Sequence, residues 1–286
     1  MGAIVGIIVI FIMVFGGFML AGGKLGIIIK ALPFELMMIG GSALGAFILS
    51  NDSHTIKATL KDFSRIFGRS KWHGHDYDDV LCLLYELIRL GQTKPLELEQ
   101  HIEMPADSDL FRRYEKIKKD ARAVDMICDT LRNNSLNFDD PNQVEDLLDK
   151  QLAADHEESL HSSHALQSTA DALPALGIVA AVLGIIKTMG SIDQPPTVLG
   201  GMIGGALVGT FLGVFMAYGF FGPFANKLKA VAHSDQIFYR IIRDVLIANL
   251  NRHPPNICVE VGRQNMPRSM RPNFNDLEAR LRGLKA

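Results

Sequence analysis

Long stretches of this sequence contain no charged side chain, and they limit what the chain can fold into. Asp, Glu, Lys and Arg are absent from residues 2–23, 36–51 and 194–226, although 21% of the 286 residues are charged. A helix that crosses the hydrocarbon layer of a bilayer needs about 20 consecutive apolar residues. The core of one soluble domain does not account for such runs, so the sequence predicts a membrane protein with a large water-exposed part.

Four membrane spans account for the uncharged stretches most economically. The first lacks the basic start and the small-residue cleavage site of a secretory signal peptide, so we expect it to be retained. The predicted spans are residues 2–22, 32–50, 173–192 and 197–221.

Lys and Arg close to the spans predict the orientation in the membrane. Five of them lie between residues 57 and 71, whereas residues 191–196, between the third and fourth spans, contain none. Lys24 and Lys30 in the other short loop favour the opposite orientation but are outnumbered. We therefore expect both termini and the long middle segment in the cytoplasm. The predicted segments are residues 1–50 with the first two spans, 51–171 as a cytoplasmic helical domain, 172–223 with the last two spans, and 224–286 as a cytoplasmic tail.

The two cytoplasmic segments differ in charge. Residues 51–171 carry 15 Lys and Arg against 24 Asp and Glu, a net charge of −9, and residues 224–286 carry 11 against 5, a net charge of +6. Two interpretations remain open. One is that both are ordinary solvated faces. The other is that the tail docks against the middle domain, or that both segments offer complementary patches to a partner.

Apolar residues in both cytoplasmic segments recur at helical spacing. From Leu110 to Leu131 a 4-3-4-3 spacing predicts one helix with one apolar stripe, and residues 80–88, 144–152 and 237–246 show similar stripes. The Leu110 stripe favours packing within a helical domain over an intermolecular coiled coil. Because no segment alternates like a strand, the predicted fold class is an all-α membrane protein.

A search for reactive groups gives no enzyme signature. The sequence contains no phosphate-binding loop, nucleophile elbow or zinc-protease motif. Cys82, Cys128 and Cys258 lie far apart in cytoplasmic segments, which predicts buried thiols. His161 and His164 are too few to predict a metal site. We expect no enzyme activity, no cofactor and no metal, and the absence of an overall basic charge argues against nucleic-acid binding.

The fourth span has a glycine at every fourth position: Gly201, Gly205, Gly209 and Gly213. Such a stripe lets helix backbones approach closely in lipid, where packing drives helix association. Packing within the chain is one interpretation of these glycines. Because four spans offer few close contacts, we favour oligomerisation or the packing of a partner's helix.

We expect no Asp or Glu side chain near the middle of any of the four predicted spans. Glu35 is expected near the end of the second span, where it can reach the lipid headgroups. A proton relay needs a titrating group near the middle of the membrane. If the protein conducts protons, a partner must supply that group.

Several longer motifs are specific enough to compare with known families. They include residues 171–182, with Pro174 after Asp171, residues 208–213 before Tyr218, and the tail segment 259–263. These motifs resemble those of the MotA family of flagellar stator subunits. The resemblance extends over essentially the whole chain. It implies membership of the wider group that contains TolQ and ExbB.

The resemblance also implies partners and an ion pathway. In that family a ring of subunits, five in number, surrounds two copies of the single-span protein MotB, whose membrane Asp carries the ion. Pro174 and Pro223 would be the conformationally important prolines, and Thr210 would face the pathway. Sodium-driven relatives tend to have Thr where this chain has Ala181, which favours protons.

The rotor contact is also implied by the resemblance. Family members use an Arg and a Glu of the middle domain to meet charges on the rotor protein FliG. Glu99 matches that Glu, whereas Gly91 or Gln92 falls at the aligned Arg position, so Arg89 is taken as its substitute. A plain solvated helix face is the alternative for both residues.

The resulting expectation is a proton-driven stator subunit in the lipid of the bacterial inner membrane. One alternative is an energiser of the TolQ or ExbB type, whose members have three spans and drive envelope proteins. A non-conducting membrane scaffold and a membrane metalloenzyme are further alternatives.

Overall fold

The computed structural model of the chain describes residues 2–68, 70–135 and 140–284. Within these ranges every regular element is helical, which confirms the predicted fold class. The main helices are α1 Gly2–Leu20, α2 Leu25–Ser50, α3 Ser53–Asp62, α4 Gly74–Thr93, α5 Pro95–Glu103, α6 Ala121–Ser135, α7 Pro141–Met189, α8 Pro196–Leu250, α9 Pro255–Asn265 and α10 Phe274–Gly283.

Four of these helices, α1, α2, α7 and α8, are long and apolar enough to cross a membrane. Helices α7 and α8 have 49 and 55 residues, more than twice the length of a span. They therefore continue as polar helices beyond the apolar segments that the sequence identifies.

The chain forms two compact units. One contains residues 1–69 and 159–231, and the other contains residues 70–158 and 232–286. The four segments predicted from the sequence follow the ends of the apolar runs instead, and they remain a prediction about membrane topology. After the locations predicted from the sequence, we refer to the first as the membrane unit and to the second as the cytoplasmic unit.

Phenylalanine side chains join α1 to α8 within the membrane unit. Phe15 makes an edge contact with Phe215 at 5.5 Å between ring centroids, and Phe11 makes one at 5.8 Å. Phe211 and Phe220 extend the same cluster. Aromatic pairs at these distances stabilise packing beyond the area they bury, so the cluster holds α1 against α8.

The cytoplasmic unit has one continuous hydrophobic core, to which the tail contributes. The indole of Trp72 stacks on Phe238 with 3.7 Å between ring centroids. Gly262 of α9 lies so close to α4 and α8 that a β-carbon there would be 2.4 Å from Val245 and 2.8 Å from Leu81. The tail therefore packs against the middle domain through buried apolar surface.

Ion pairs join the acidic middle domain to the basic tail. Arg243 contacts Glu145 at 2.6 Å and Asp149 at 2.7 Å, and Arg280 contacts Asp78 at 3.3 Å. Of the two interpretations of the charge division, these contacts support docking of the tail. Each half-exposed pair contributes little stability alone, so the pairs orient a contact that the apolar core stabilises.

The single helix predicted from Leu110 to Leu131 is wrong. The segment contains two isolated helical turns, Asp109–Arg112 and Glu115–Lys118, before α6 begins at Ala121. Asp120 starts α6 by accepting a hydrogen bond from the Ala123 amide at 2.8 Å. The apolar spacing continues because each piece buries its own side chains in the same core.

Candidate functional site

Helices α7 and α8 approach each other through glycine. A β-carbon on Gly213 would lie 2.5 Å from the carbonyl oxygen of Leu173 and 2.9 Å from the α-carbon of Gly177. A β-carbon on Gly177 would lie 2.8 Å from the Gly209 carbonyl oxygen. The two backbones are therefore in direct contact, which only residues without a side chain permit.

Glu35 of α2 lies in the same region. Its side chain is only 5% exposed, and a β-carbon on Gly209 would lie 2.6 Å from its Oε2. That β-carbon would also be 3.2 Å from the β-carbon of Ala180 and from the amide nitrogen of Ala181. A carboxyl group from α2 thus meets the contact between α7 and α8 where Gly209 leaves room for it.

The expectation that Glu35 reaches the lipid headgroups is wrong, because its side chain is buried within the membrane unit. Helix α2 begins at Leu25, so Glu35 lies about 15 Å from the start of this helix and about 22 Å from its end at Ser50. The Gly22-Gly23 pair is the sequence signal for the start of α2. The first apolar helix ends at this turn, where Gly22 has φ +82°, and the next helix begins directly after it. Because Lys24 and Lys30 flank the apolar residues 25–29, the predicted second span did not include these residues.

The backbone around Glu35 departs from a regular α-helix. Pro33 lies inside α2, and the residues Leu36–Gly40 form a wider π-helical turn. Proline removes one backbone hydrogen bond, and π-helical turns are frequent at functional sites. Both irregularities flank the buried carboxyl.

The structure brings together only some of the predicted pathway residues. Ala181 is buried beside Gly209, and Thr210 is half-buried on the neighbouring position of α8. Pro174 is half-buried within α7, three residues before Gly177. Pro223 is exposed and follows a π-helical turn at Ala217–Phe221. Ala181 therefore lies at the contact with Glu35, whereas Pro223 lies further along α8.

The glycine stripe of α8 divides into two pairs. Gly209 and Gly213 lie at contacts within the chain, where added β-carbons would meet neighbouring atoms at under 3 Å. A β-carbon on Gly205 would come no closer than 4.0 Å to Ala31, and one on Gly201 would meet nothing within 4 Å. Packing within the chain thus accounts for one pair and leaves the other pair open.

Arg89 and Glu99 lie on different helices of the cytoplasmic unit. Arg89 of α4 is half-buried, and its guanidinium donates a hydrogen bond to the carbonyl oxygen of Leu284 at 3.3 Å. Glu99 of α5 is exposed. Glu99 is therefore available to a partner, whereas Arg89 is engaged with the tail.

The three cysteines are free and buried, which confirms the prediction of buried thiols. Burial raises the pKa of Cys82 and Cys258 to about 11 and that of Cys128 to about 12. Across residues 2–68, 70–135 and 140–284, no three His, Cys, Asp or Glu side chains group so that they could hold a metal ion.

Four apolar helices, backbone contacts through glycine and a helical cytoplasmic unit define a multi-pass helical membrane subunit. Residues 4–95 match the family model "Motility protein A N-terminal", and residues 119–239 match "MotA/TolQ/ExbB proton channel family". The chain is 38% identical to Motility protein A of Escherichia coli over 99% of its length and 95% of that protein. It belongs to the motility protein A (MotA) family, whose members are not enzymes.

Other relatives and two solved structures agree. The chain is 34% identical to chemotaxis protein LafT of Vibrio parahaemolyticus over 96% of its length and 95% of that protein. The structure of C. jejuni MotAB has a TM-score of 0.73 at 17% identity, covering 93% of this chain and 96% of the other. The MotAB stator complex of Bacillus subtilis has a TM-score of 0.72 at 19% identity, covering 96% and 99%. These two likenesses establish the fold.

Proposed function

We propose that this chain is the ring-forming subunit of a proton-driven flagellar stator that works with MotB. The observation that carries the proposal is the 38% identity to E. coli Motility protein A over nearly the whole of both chains. The likeness in fold to two MotAB structures supports it. The four apolar helices argue against an energiser with three spans.

The packing of α7 and α8 suits a wall around a partner's helix. Direct backbone contact at Gly177 and Gly213 holds the two helices together. The open glycines, Gly201 and Gly205, then remain for a neighbouring subunit or the MotB helix. We propose a ring of five such subunits around two MotB chains, in which the MotB membrane Asp carries the ion.

Protons fit the residues of this pathway better than sodium ions. A dehydrated metal cation needs a set of oxygen ligands that replaces its water. Ala181 offers no side-chain oxygen and is buried against α8. Thr210 is the nearby hydroxyl and Glu35 the nearby carboxyl, and these two side chains do not supply a full set of oxygen ligands.

The cytoplasmic unit would deliver the work to FliG. One elementary charge crossing about 100 mV releases roughly 2.3 kcal/mol, so many ions and several charge contacts share each step. Glu99 is exposed and suits a contact with a basic rotor surface. Arg89 is the second proposed contact, reached when its hydrogen bond to Leu284 opens.

The proposed location is the bacterial inner membrane, with both termini in the cytoplasm. The positive charges that follow the second span support this orientation. The membrane lipid would contact the outer faces of α1 and α2, which are largely exposed and apolar.

The gradient dependence of swimming tests this function. We expect a deletion strain to lose swimming, and expression of this chain to restore it. Swimming speed should follow the proton gradient and stay constant when the sodium gradient is varied alone. Speed that follows sodium would contradict the ion assignment, and normal swimming of the deletion strain would contradict the stator function.

Replacing Glu99 tests the rotor contact. We expect Glu99→Lys to lower the torque at constant protein level, because it reverses the charge offered to the rotor. Glu97→Lys is the matched control, because Glu97 lies on the same helix and already pairs with Lys94 at 2.8 Å. Torque can be measured by the rotation of tethered cells. Equal torque from both variants would show that Glu99 does not contact the rotor.

A further inference from the structure

Glu35 is a buried carboxyl that the proposed function does not use. Its Oε2 is shielded from solvent and has no hydrogen-bond partner among the residues that the structure describes. The side chain is 5% exposed and lies at the meeting point of α2, α7 and α8. Such a group in the middle of an apolar helix needs a physical explanation.

The neighbouring helices do not supply a counter-charge. The apolar part of α8, from Pro196 to Phe221, and the whole of α1 contain no Asp, Glu, Lys or Arg, although α8 contains Tyr218. On α7 the charged residues that flank Ala180 and Ala181 are Asp171, about 14 Å away along the axis, and Lys187, about 9 Å away.

On α2 itself, the nearest charged residues in sequence are Lys30 and Lys24. Lys30 lies about 8 Å from Glu35 along the helix axis, and Lys24 lies just before the helix begins. The structure places no cation within ion-pairing distance of Glu35 in the part of the chain that it describes. An ionised carboxylate without a partner is costly in apolar surroundings, whereas the uncharged acid is tolerated.

Gly209 links this carboxyl to helix packing. A β-carbon on Gly209 would lie 2.6 Å from Oε2 of Glu35 and 3.2 Å from atoms of Ala180 and Ala181, so the absence of a side chain there leaves the space that Oε2 occupies. Oε2 therefore stays shielded only while α2 is packed against α7 and α8. If the helices separate, water reaches the carboxyl and ionisation becomes favourable.

We propose that Glu35 is a proton-binding site within this chain, separate from the carboxyl that MotB would supply. It holds its proton while α2 is packed at Gly209, and it releases the proton when that contact opens. Protonation of Glu35 thereby reports and stabilises the packed arrangement of the membrane unit. The site does not depend on MotB carrying the transported ion.

Infrared spectroscopy tests the site directly, because a protonated carboxyl and a carboxylate absorb at different frequencies. The sample is the complex purified from its own membranes and placed in lipid nanodiscs at pH 7. We expect a protonated-carboxyl band in the native protein that Glu35→Gln removes. Other protonated carboxyls, including one from MotB, remain in both spectra and cancel in their difference. If the native and Glu35→Gln spectra are the same in this region, the proposal is overturned.

Two further variants test the link to packing and keep the test valid if Glu35→Gln does not assemble. Gly209→Ala places a β-carbon 2.6 Å from Oε2 and should open the contact. We expect it to lose the protonated-carboxyl band and gain a carboxylate band. Gly200→Ala, where a β-carbon meets nothing within 4 Å, should retain the native spectrum. Retention of the protonated band in Gly209→Ala would overturn the proposal.

Discussion

At the scale of single residues, glycines determine how the helices of the membrane unit pack, because they have no side chain. Gly209 makes room for both Glu35 and α7, and Gly213 admits the backbone of Leu173. The regular spacing of glycine in the sequence predicts a packing face, and Gly209 and Gly213 lie at contacts within the chain. It does not predict which glycines meet the chain's own helices, because crossing helices touch over only a few turns. Gly201 and Gly205 lie beyond that contact.

Replacing Gly213 by Ala tests the backbone contact. The new β-carbon would meet the Leu173 carbonyl oxygen at 2.5 Å, and since a backbone atom cannot rotate away, α7 and α8 must separate. We expect a loss of about 1–3 kcal/mol of stability, typical of overpacking. The measurement is the thermal stability and the yield of the purified complex.

Gly200→Ala is the matched control for this variant, because it adds the same methyl group to the same helix in open space. We expect it to match the native protein in yield and melting temperature. A Gly213→Ala complex as stable as this control would contradict the close contact between α7 and α8.

Burial also determines the reactivity of the cysteines. The pKa of each thiol is raised to about 11 or 12, so at pH 8 nearly all of each remains in the protonated, unreactive form. We expect iodoacetamide to modify Cys82, Cys128 and Cys258 slowly at pH 8 in the folded protein and rapidly after denaturation. Mass spectrometry of digested protein measures each site. Modification of any one at the denatured rate would contradict its burial.

At the scale of helices, the tail completes the cytoplasmic core. Helix α9 contacts α4 and α8 at Gly262, and Arg280 of α10 pairs with Asp78 of α4. Opposite net charges in the sequence made docking one of two open interpretations. Charge alone could not decide between them, because solvated faces have the same composition. The packing at Gly262 depends on tertiary contacts that sequence spacing does not contain.

Helix boundaries show the same limit. Apolar spacing predicted a continuous helix from Leu110 to Leu131, but the polar residue Asp120 interrupts it by starting α6. Likewise, the apolar run predicted a membrane span from Leu32, whereas the helix that contains it begins at Leu25. Spacing reports which side chains are buried, whereas backbone hydrogen bonds at helix ends determine where helices begin.

Adding a methyl group at Gly262 tests the docking of the tail. Gly262→Ala places a β-carbon 2.4 Å from Val245 and 2.8 Å from Leu81. We expect the tail contact to lose about 1–3 kcal/mol, since both neighbours are buried and cannot move freely. The measurement is limited proteolysis of the full-length protein in its membrane. The tail of the Gly262→Ala variant should be cut faster than the tail of the native protein.

The control for this variant is Gly283→Ala, at the end of α10, where a β-carbon meets nothing within 4 Å. It should be cut at the native rate. Equal proteolysis of Gly262→Ala and Gly283→Ala would show that α9 does not pack as described.

At the scale of the whole molecule, the sequence separates uncharged membrane helices from charged segments outside them. The uncharged stretches predicted four membrane helices, and the structure and family membership agree. The net charge of −2 conceals an acidic domain and a basic tail that pair with each other in the cytoplasmic unit. What the sequence did not predict is a buried carboxyl inside the membrane unit, because its depth depends on where α2 begins.

Proton flux through the reconstituted complex tests the central claim of a proton-conducting stator subunit most directly. Vesicles would contain this chain with MotB after removal of any segment that plugs the channel, and an internal dye would report pH after an imposed potential. We predict acidification with both proteins together and none with either alone. Vesicles that remain proton-tight with the complete, unplugged complex would contradict the account.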